Sequence, residues 1–429
     1  MTSRDWSSDV CSSDLKKQRK IQLKRGLASL LALSLAIPTV GSLTAFAGQE
    51  IHFSDEWGRC TACSEETPHL IYTKEDLDKI RTHLDENGRV TGYFQLANDI
   101  VFEEADFAVG GDFYRNGLGW LPIGDDGSTG SSYTPATADI WLDGNNCTIS
   151  GLEIHSFSDD VIPETLPQGM RDLSFIARPG NATIQNLTFD GAYIASRKGA
   201  AVVYGAGTAE TTVRNVTVTN STVVNMGGAS GQTAVFARIA GGLLEDITIT
   251  DSANIRTDRN GNTSSGWGQT FFTGRLLENT IVRNITIQDC ELDAYAYAAL
   301  FTTDMRSGVC IDGVTIRNLA ANWSHHAMFS FAGEIWDSAV QNPNADRENI
   351  SIRNVSLEAD MTYGGSNYSS QIIPEMSGFE MRDSVLVYRQ DLPVVLTAAE
   401  GTGNAGEFEN VYIVRIPEGG ARSILYCKD

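Results

Sequence analysis

The chain has 429 residues, with 32 Lys+Arg against 54 Asp+Glu and a formal net charge of −22. A surface this acidic repels phosphate backbones and anionic lipid headgroups, which excludes nucleic acid and membrane surfaces as partners. Seven cysteines in such a length are too few for a disulfide-built scaffold.

Residues 5–15, DWSSDVCSSDL, match the translation of a short-read sequencing adapter in one frame. Residues 1–15 are therefore read as an artefact: Trp6 is expected to pack against nothing, and Cys11 leaves the cysteine inventory. An export signal follows at 16–47. Lys16, Lys17, Arg19, Lys20, Lys24 and Arg25 form its basic start, Gly26 to Val40 its apolar stretch, and Ala45-Phe46-Ala47 the small-x-small cleavage site. Pro38, Gly41, Ser42 and Thr44 break the apolar run before it reaches the ~20 residues of a membrane span, so cleavage is expected rather than a retained anchor. The mature chain then starts near Gly48, is secreted or displayed on the cell surface, and inserts into no membrane. Residues 1–47 hold seven basic and three acidic residues, so the remainder has 25 Lys+Arg against 51 Asp+Glu, a net of −26.

Residues 48–70 read as a linker carrying Cys60-x-x-Cys63. That pair fits a local disulfide, a redox or free-thiol pair, or half of a zinc site. No second C-x-x-C or H-x-x-x-H exists, which makes zinc the weakest of the three, and a local disulfide suits an exported loop best. Residues 71–146 read as a helix cap and lead-in strands. IYTKEDLDKIRTHL offers Thr73 as N-cap and places Leu77, Ile80 and Leu84 on one helical face, which would cover an open strand edge.

From residue 147 to 429 the chain is periodic. CTISGLEI, ATIQNLTF, TTVRNVTV, LLEDITI, IVRNITI, CIDGVTI, SIRNVSL, MRDSVLV and FENVYIV align Gly151, Asn186, Asn215, Asp246, Asn284, Gly313, Asn354, Asp383 and Asn410 in one column. The steps of 27 to 41 residues between them signal a stacked repeat architecture. Gly, Asn and Asp share tolerance of left-handed backbone, so each strand is expected to bend there, with asparagines bonding from one repeat to the next. A second column, AAVVY (200–204), TAVFA (233–237), QTFFT (269–273), YAALF (297–301) and HAMFS (326–330), reads as one short strand of a buried parallel sheet. The expected fold is all-β, a right-handed parallel β-helix of the pectin-lyase type with a short N-terminal capping helix. Repeats of 29 residues are too short for propeller blades. The N-x-S/T triplets fall inside the repeat and are read as corner chemistry rather than as glycosylation sites. Long steps place insertions near Thr257–Gly266 and Ala332–Arg347, where such folds carry binding loops.

YFQLANDI (93–100), GWLPIG (119–124) and WLDGNNCTISGL (141–152) come in that order. Together they resemble the start of the GLUG-type right-handed β-helix regions of Gram-positive bacterial surface proteins, including those upstream of IgA-protease type zinc metallopeptidases. The likeness covers about 70–155 closely and the repeats loosely. It implies a secreted β-helix, probing no chemistry: H-E-x-x-H is absent, so the protease activity is not carried over. No sorting motif precedes Asp429, and the chain reads as the front of a larger surface protein.

No catalytic residues, metal or cofactor are assigned. Asp159-Asp160 is the obvious carboxylate pair, but neighbours on a strand point to opposite faces. The loop opening at Asp258 and that at Asp85-x-Asn87-Gly88 lack the glutamate of a calcium loop and read as turns. The densest mixture of aromatic and titratable groups is Trp323, His325, His326, Glu334 and Trp336, a candidate glycan-binding set. The expected function is an adhesion or glycan-binding stalk with glycans or a host or cell-wall surface as partner. The alternative is a polysaccharide lyase or glycoside hydrolase using a groove on one sheet face.

Overall fold

The computed structural model describes residues 63–125, 134–156, 172–196, 199–226, 232–256, 268–295, 298–323, 328–329, 331–332, 349–363, 370–371, 379–390, 394–395 and 407–427. The adapter stretch with Trp6, the export signal with Ala45 and Ala47, and Cys60 lie outside the described residues. Cys63 is disulfide-bonded, while Cys147, Cys290 and Cys310 are free thiols.

The described residues are nearly all β, in sheets of seventeen, eight and three strands. The repeats from Thr183 to Leu276 contribute in the same order. A long strand such as Thr183–Asp190 is followed by a second leg, Tyr193–Ser196, in the same large sheet. Two residues then join the eight-stranded sheet (Gly199–Ala200) and three the smallest sheet (Tyr204–Ala206). Every one of these strands pairs in parallel with its counterpart one repeat on; Thr183–Asp190, for example, pairs with Thr212–Thr219, which pairs with Leu243–Thr250. Among the strands of the described residues only Ser423–Cys427 runs antiparallel, against Glu407–Ile416. The stack also extends upstream of residue 147, since His69–Ile71, Val90–Leu96 and Ala138–Ser150 pair in parallel in succession.

Asn186, Asn215, Asp246, Asn284, Asn354, Asp383 and Asn410 all have φ between 46° and 57°, and Gly313 has φ 82°. The left-handed residue resets the two-residue alternation of the strand, so Ile184 and Leu187, three apart, both point inward. The side chains at this corner bond across repeats as expected. Asn215 Nδ2 donates to Asn186 Oδ1 at 2.9 Å, Asn284 to Asp246 at 3.0 Å and Asn410 to Asp383 at 2.6 Å. Where Gly313 offers no side chain, Asn354 Nδ2 reaches Asp312 instead, at 2.7 Å.

Gly151 belongs elsewhere. Ser150 pairs with Asp190, so Gly151 (φ 71°) matches Gly191, and the first corner of that repeat is the Asn145-Asn146 pair. Gly191, Asn220, Asp251, Asp289 and Asn318 form a second left-handed corner, five residues after the first. The following residue closes it. Ser221 and Ser252 hydroxyls donate to the carbonyls of Thr219 and Thr250 and accept from the N–H of Ala192 and Ser221. Cys290 takes the same place; burial pushes its thiol up to about 12, so it acts as an uncharged weak donor. Between Ile316 and Leu319 the register slips against Ile350–Tyr363, and the second corner is absent from that strand.

The apolar column at 200–204 and its equivalents is buried but is not one strand. It contains the bend between the eight-stranded and three-stranded sheets, with Ala201 to Val203 lying between strand residues Ala200 and Tyr204. This bend stacks phenylalanines along the interior. Phe236–Phe272, Phe272–Phe301 and Phe301–Phe331 are face to face with centroids 5.4, 4.7 and 4.9 Å apart. Phe331 therefore matches Phe301, one residue later than the sequence alignment of 326–330 implies.

At the start of the described chain, Thr73 caps the helix Lys74–Lys79, its hydroxyl accepting from Asp76 N at 3.1 Å. Leu77 and Ile80 are buried, but the helix tightens to a 3₁₀ turn at Ile80–Thr82, and Leu84 is left exposed in a bridge to Val90. Asp78 holds this cap to the lead-in segment through Arg115 (2.6 Å), and within the cap it also pairs with Arg81 (3.3 Å). Burial pushes the Asp78 carboxyl up, but hydrogen bonds and charge from Arg115 and Arg81 outweigh it, and the net shift is downward.

Candidate functional site

Of the five residues singled out for glycan contact, His325, His326, Glu334 and Trp336 lie outside the described residues. Trp323 ends the strand Cys310–Trp323 and is 2% exposed, packed on Tyr363 with ring centroids 5.1 Å apart. Its ring faces the core, and its indole N–H has no hydrogen-bond partner among the described residues. Asp159, Asp160 and the loop opening at Asp258 are also outside the described residues. Asp85 forms a tight turn, its carboxylate accepting from the N–H of Asn87 and Arg89 at 2.8 and 2.9 Å. Among the described residues no group of three or more His, Cys, Asp or Glu is placed to hold a metal ion. No helix among them is long and apolar enough to cross a membrane.

The second legs of the large sheet all end at one edge, where Trp323 and Tyr363 are register partners and Ile255 pairs with Asp293. A polar cluster sits there on two neighbouring repeats. The Arg256 guanidinium lies over the Tyr295 ring, 5.2 Å from its centroid. Beside it, Asp293 is half-buried; burial pushes its carboxyl above the usual range, and the Arg256 charge pulls it back only in part. Cation–π contact fixes the guanidinium plane over the ring.

Buried amides hold this edge in place. Asn254, fully buried, donates to the carbonyls of Thr233 and Thr270 at 3.0 and 2.8 Å and accepts from Thr233 Oγ1 at 3.1 Å. Gln269, also fully buried, donates to the Asp293 carbonyl at 2.9 Å. Both side chains are satisfied, so the network fixes the backbone of residues 254 to 256, 269 to 270 and 293 to 295 relative to one another. A guanidinium, a phenol ring and a half-buried carboxylate therefore share one rigid base at this edge. That combination suits a polyhydroxylated ligand.

None of these five residues stands out in the sequence. Asn254 is conspicuous only once register places it in the inward column of Ile194, Val223, Leu292 and Ala321. A polar residue in an otherwise apolar column is the signal, and it exists only after the repeats are aligned strand by strand.

No protein family matches the sequence, and none of the curated proteins does. The chain is similar in structure to a provisionally assigned immunoglobulin A1 protease from Bacteroides ovatus, solved by crystallography. The match has 14% identity and a TM-score of 0.36, over 81% of this chain and 85% of that one. No part of the functional reading rests on that likeness.

Proposed function

We propose that this chain is a right-handed parallel β-helix, exported to the cell surface, that acts as a stalk binding glycans on a host or cell-wall surface. The observation that carries the binding reading is the Arg256–Tyr295 stack beside half-buried Asp293, held by the Asn254–Gln269 network at the edge where the second legs end. The repeat-to-repeat parallel pairing supports the β-helix, and the basic, apolar and small-residue order at 16–47 supports export. The motifs at 93–100, 119–124 and 141–152, similar to GLUG-type regions, favour a surface protein. Sugars with neighbouring hydroxyls bind planar guanidinium and carboxylate groups two bonds at a time, and an aromatic face takes the apolar side of the ring.

The test is a panel of plant, host and bacterial glycans, read by direct binding and by product analysis. Binding to one glycan class is expected, weakened roughly tenfold or more in Arg256→Ala and Asp293→Ala, with no new reducing ends and no unsaturated products. A protein that binds nothing on the panel, or that cleaves what it binds, overturns the reading. Surface location is checked separately by protease accessibility on intact cells.

A further inference from the structure

The lead-in strands Val90–Leu96 and Ala138–Ser150 carry an outer face that the next repeats do not continue. Thr91, Tyr93 and Gln95 alternate with buried Val90, Phe94 and Leu96. Their register partners Asp139, Trp141 and Asp143 alternate with buried Ala138, Ile140 and Leu142. All six side chains therefore lie on the side of the sheet away from the core. One repeat on, Trp141 and Asp143 are followed by Thr183 and Gln185, and Thr183 by Thr212 and Leu243. The aromatic pair belongs to the lead-in strands alone.

The Tyr93 and Trp141 rings lie 6.4 Å apart at 42°, and Tyr93 is 38% exposed. Aromatic rings that serve packing alone are buried, as Phe94 and Trp120 are here. Among the described residues the Tyr93 hydroxyl, the Trp141 indole N–H and the Gln95 amide have no hydrogen-bond partner. Gln185 donates to Asp143 at 3.4 Å and keeps its carbonyl oxygen. The carboxylates beside the rings are already engaged. Asp139 accepts from Arg89 at 2.7 Å and from Asn181 N at 3.0 Å, and Asp143 from Asn145 N at 2.8 Å and Asn186 Nδ2 at 3.1 Å.

We propose that Tyr93 and Trp141 form a stacking platform for a neutral glycan, separate from the Arg256–Tyr295 cluster. The proposal rests on the reading of the chain as a glycan binder and adds a second place on it. An aromatic face takes the apolar C–H side of a sugar ring, while free phenol, indole and amide groups meet hydroxyls at its rim. Charge selects a neutral ligand. A chain at −22 repels uronates and sulfates, and Arg89 at the border of the platform is paired with Asp139. Area disfavours a protein partner, since two rings and two amides fall far short of the ~800 Å² per side of a stable interface. From Trp141 to Leu243 is three repeats, about 14 Å along the stack at ~4.8 Å per strand. Arg256 lies on the second leg of that last repeat, so one sugar ring does not fill both places.

The experiment uses the full chain with short fragments of β-glucan, xylan, mannan and galactan, and oligogalacturonate as the acidic control. Affinity is read by isothermal titration, and the site by hydroxyl-radical footprinting. Binding of at least one neutral fragment is expected, with Tyr93 and Trp141 protected from oxidation and the acidic control left unbound. Trp141→Ala and Tyr93→Ala should each weaken binding by roughly tenfold or more at unchanged circular dichroism, and Gln95→Ala by less. Arg256→Ala should leave the protection of Trp141 unchanged. A neutral fragment that binds while both rings stay open to oxidation, or that binds both variants equally well, overturns the proposal and leaves the glycan reading standing. Binding of no neutral fragment overturns it too, and the glycan reading falls with it only if the wider panel is also empty. Oligogalacturonate held at Trp141 overturns the neutral class.

Discussion

Replacing Phe272 with alanine tests whether the interior phenylalanine stack holds the repeats together. Phe272 is fully buried and lies between Phe236 and Phe301, at 5.4 and 4.7 Å. Truncating a buried phenylalanine costs about 3–5 kcal/mol through lost transfer energy and the cavity left behind. Each aromatic pair adds about 0.5–1.5 kcal/mol beyond burial, and Phe272 makes two. The cost should therefore sit in the upper part of the range, about 4–5 kcal/mol. Equilibrium urea unfolding followed by far-ultraviolet circular dichroism measures it. The stacking component is separated by a double-mutant cycle. Phe272→Ala with Phe301→Ala should couple by about 0.5–1.5 kcal/mol, whereas Phe272→Ala with the distant Phe102→Ala should be additive within about 0.5 kcal/mol. A loss under about 2 kcal/mol for Phe272→Ala, or additivity with Phe301→Ala, would refute stacking as a source of cohesion between repeats.

Three further predictions follow from single residues. Asn284 (φ 54°) donates to Asp246, so Asn284→Ala should cost about 1–2 kcal/mol from forced left-handed backbone and the lost bond, and Asn284→Gly less; urea midpoints showing glycine worse than alanine would contradict the corner assignment. The Tyr204 hydroxyl is buried without a partner among the described residues, so Tyr204→Phe should leave stability unchanged or raise it by about 1 kcal/mol, and a clear loss would reveal a hidden acceptor. The Asp293 carboxyl is raised above its unfolded value, so the folded state binds the proton more tightly and stability falls as pH rises through that window. Asp293→Asn should raise the melting temperature at neutral pH and flatten its dependence on pH just above the ordinary carboxylate range; a lower melting temperature would mean that ionised Asp293 is a stabilising partner.

Much of the repeat was legible because its corners demand a rare conformation. Only Gly, Asn and Asp fill left-handed positions without strain, and their spacing survives steps of 27 to 41 residues. The same chemistry misled at Gly151, since C-T-I-S-G resembles a first corner although it matches L-T-F-D-G of the second. The second column was misread for a related reason. Continuous apolar sequence reports burial on all sides and does not show that a bend divides Ala200 from Tyr204. Leu84 was placed on the helical face because period alone continues past Ile80, where the helix tightens and ends. The polar cluster was not legible at all. Arg256, Asp293 and Tyr295 lie 37 and 39 residues apart from first to second and third, and only register brings them together.

The variable step length has an evolutionary consequence. Strand register is kept across steps as different as 29 and 38 residues, because the extra length leaves and rejoins the chain between one strand end and the next. Insertions at these points need not disturb the Asn–Asp corners or the phenylalanine column. The fold can therefore accept new surface segments one repeat at a time, and selection on those segments is uncoupled from selection on stability. A peptide tag inserted between residues 257 and 266 should leave the melting temperature nearly unchanged, as a scaffold with replaceable parts requires.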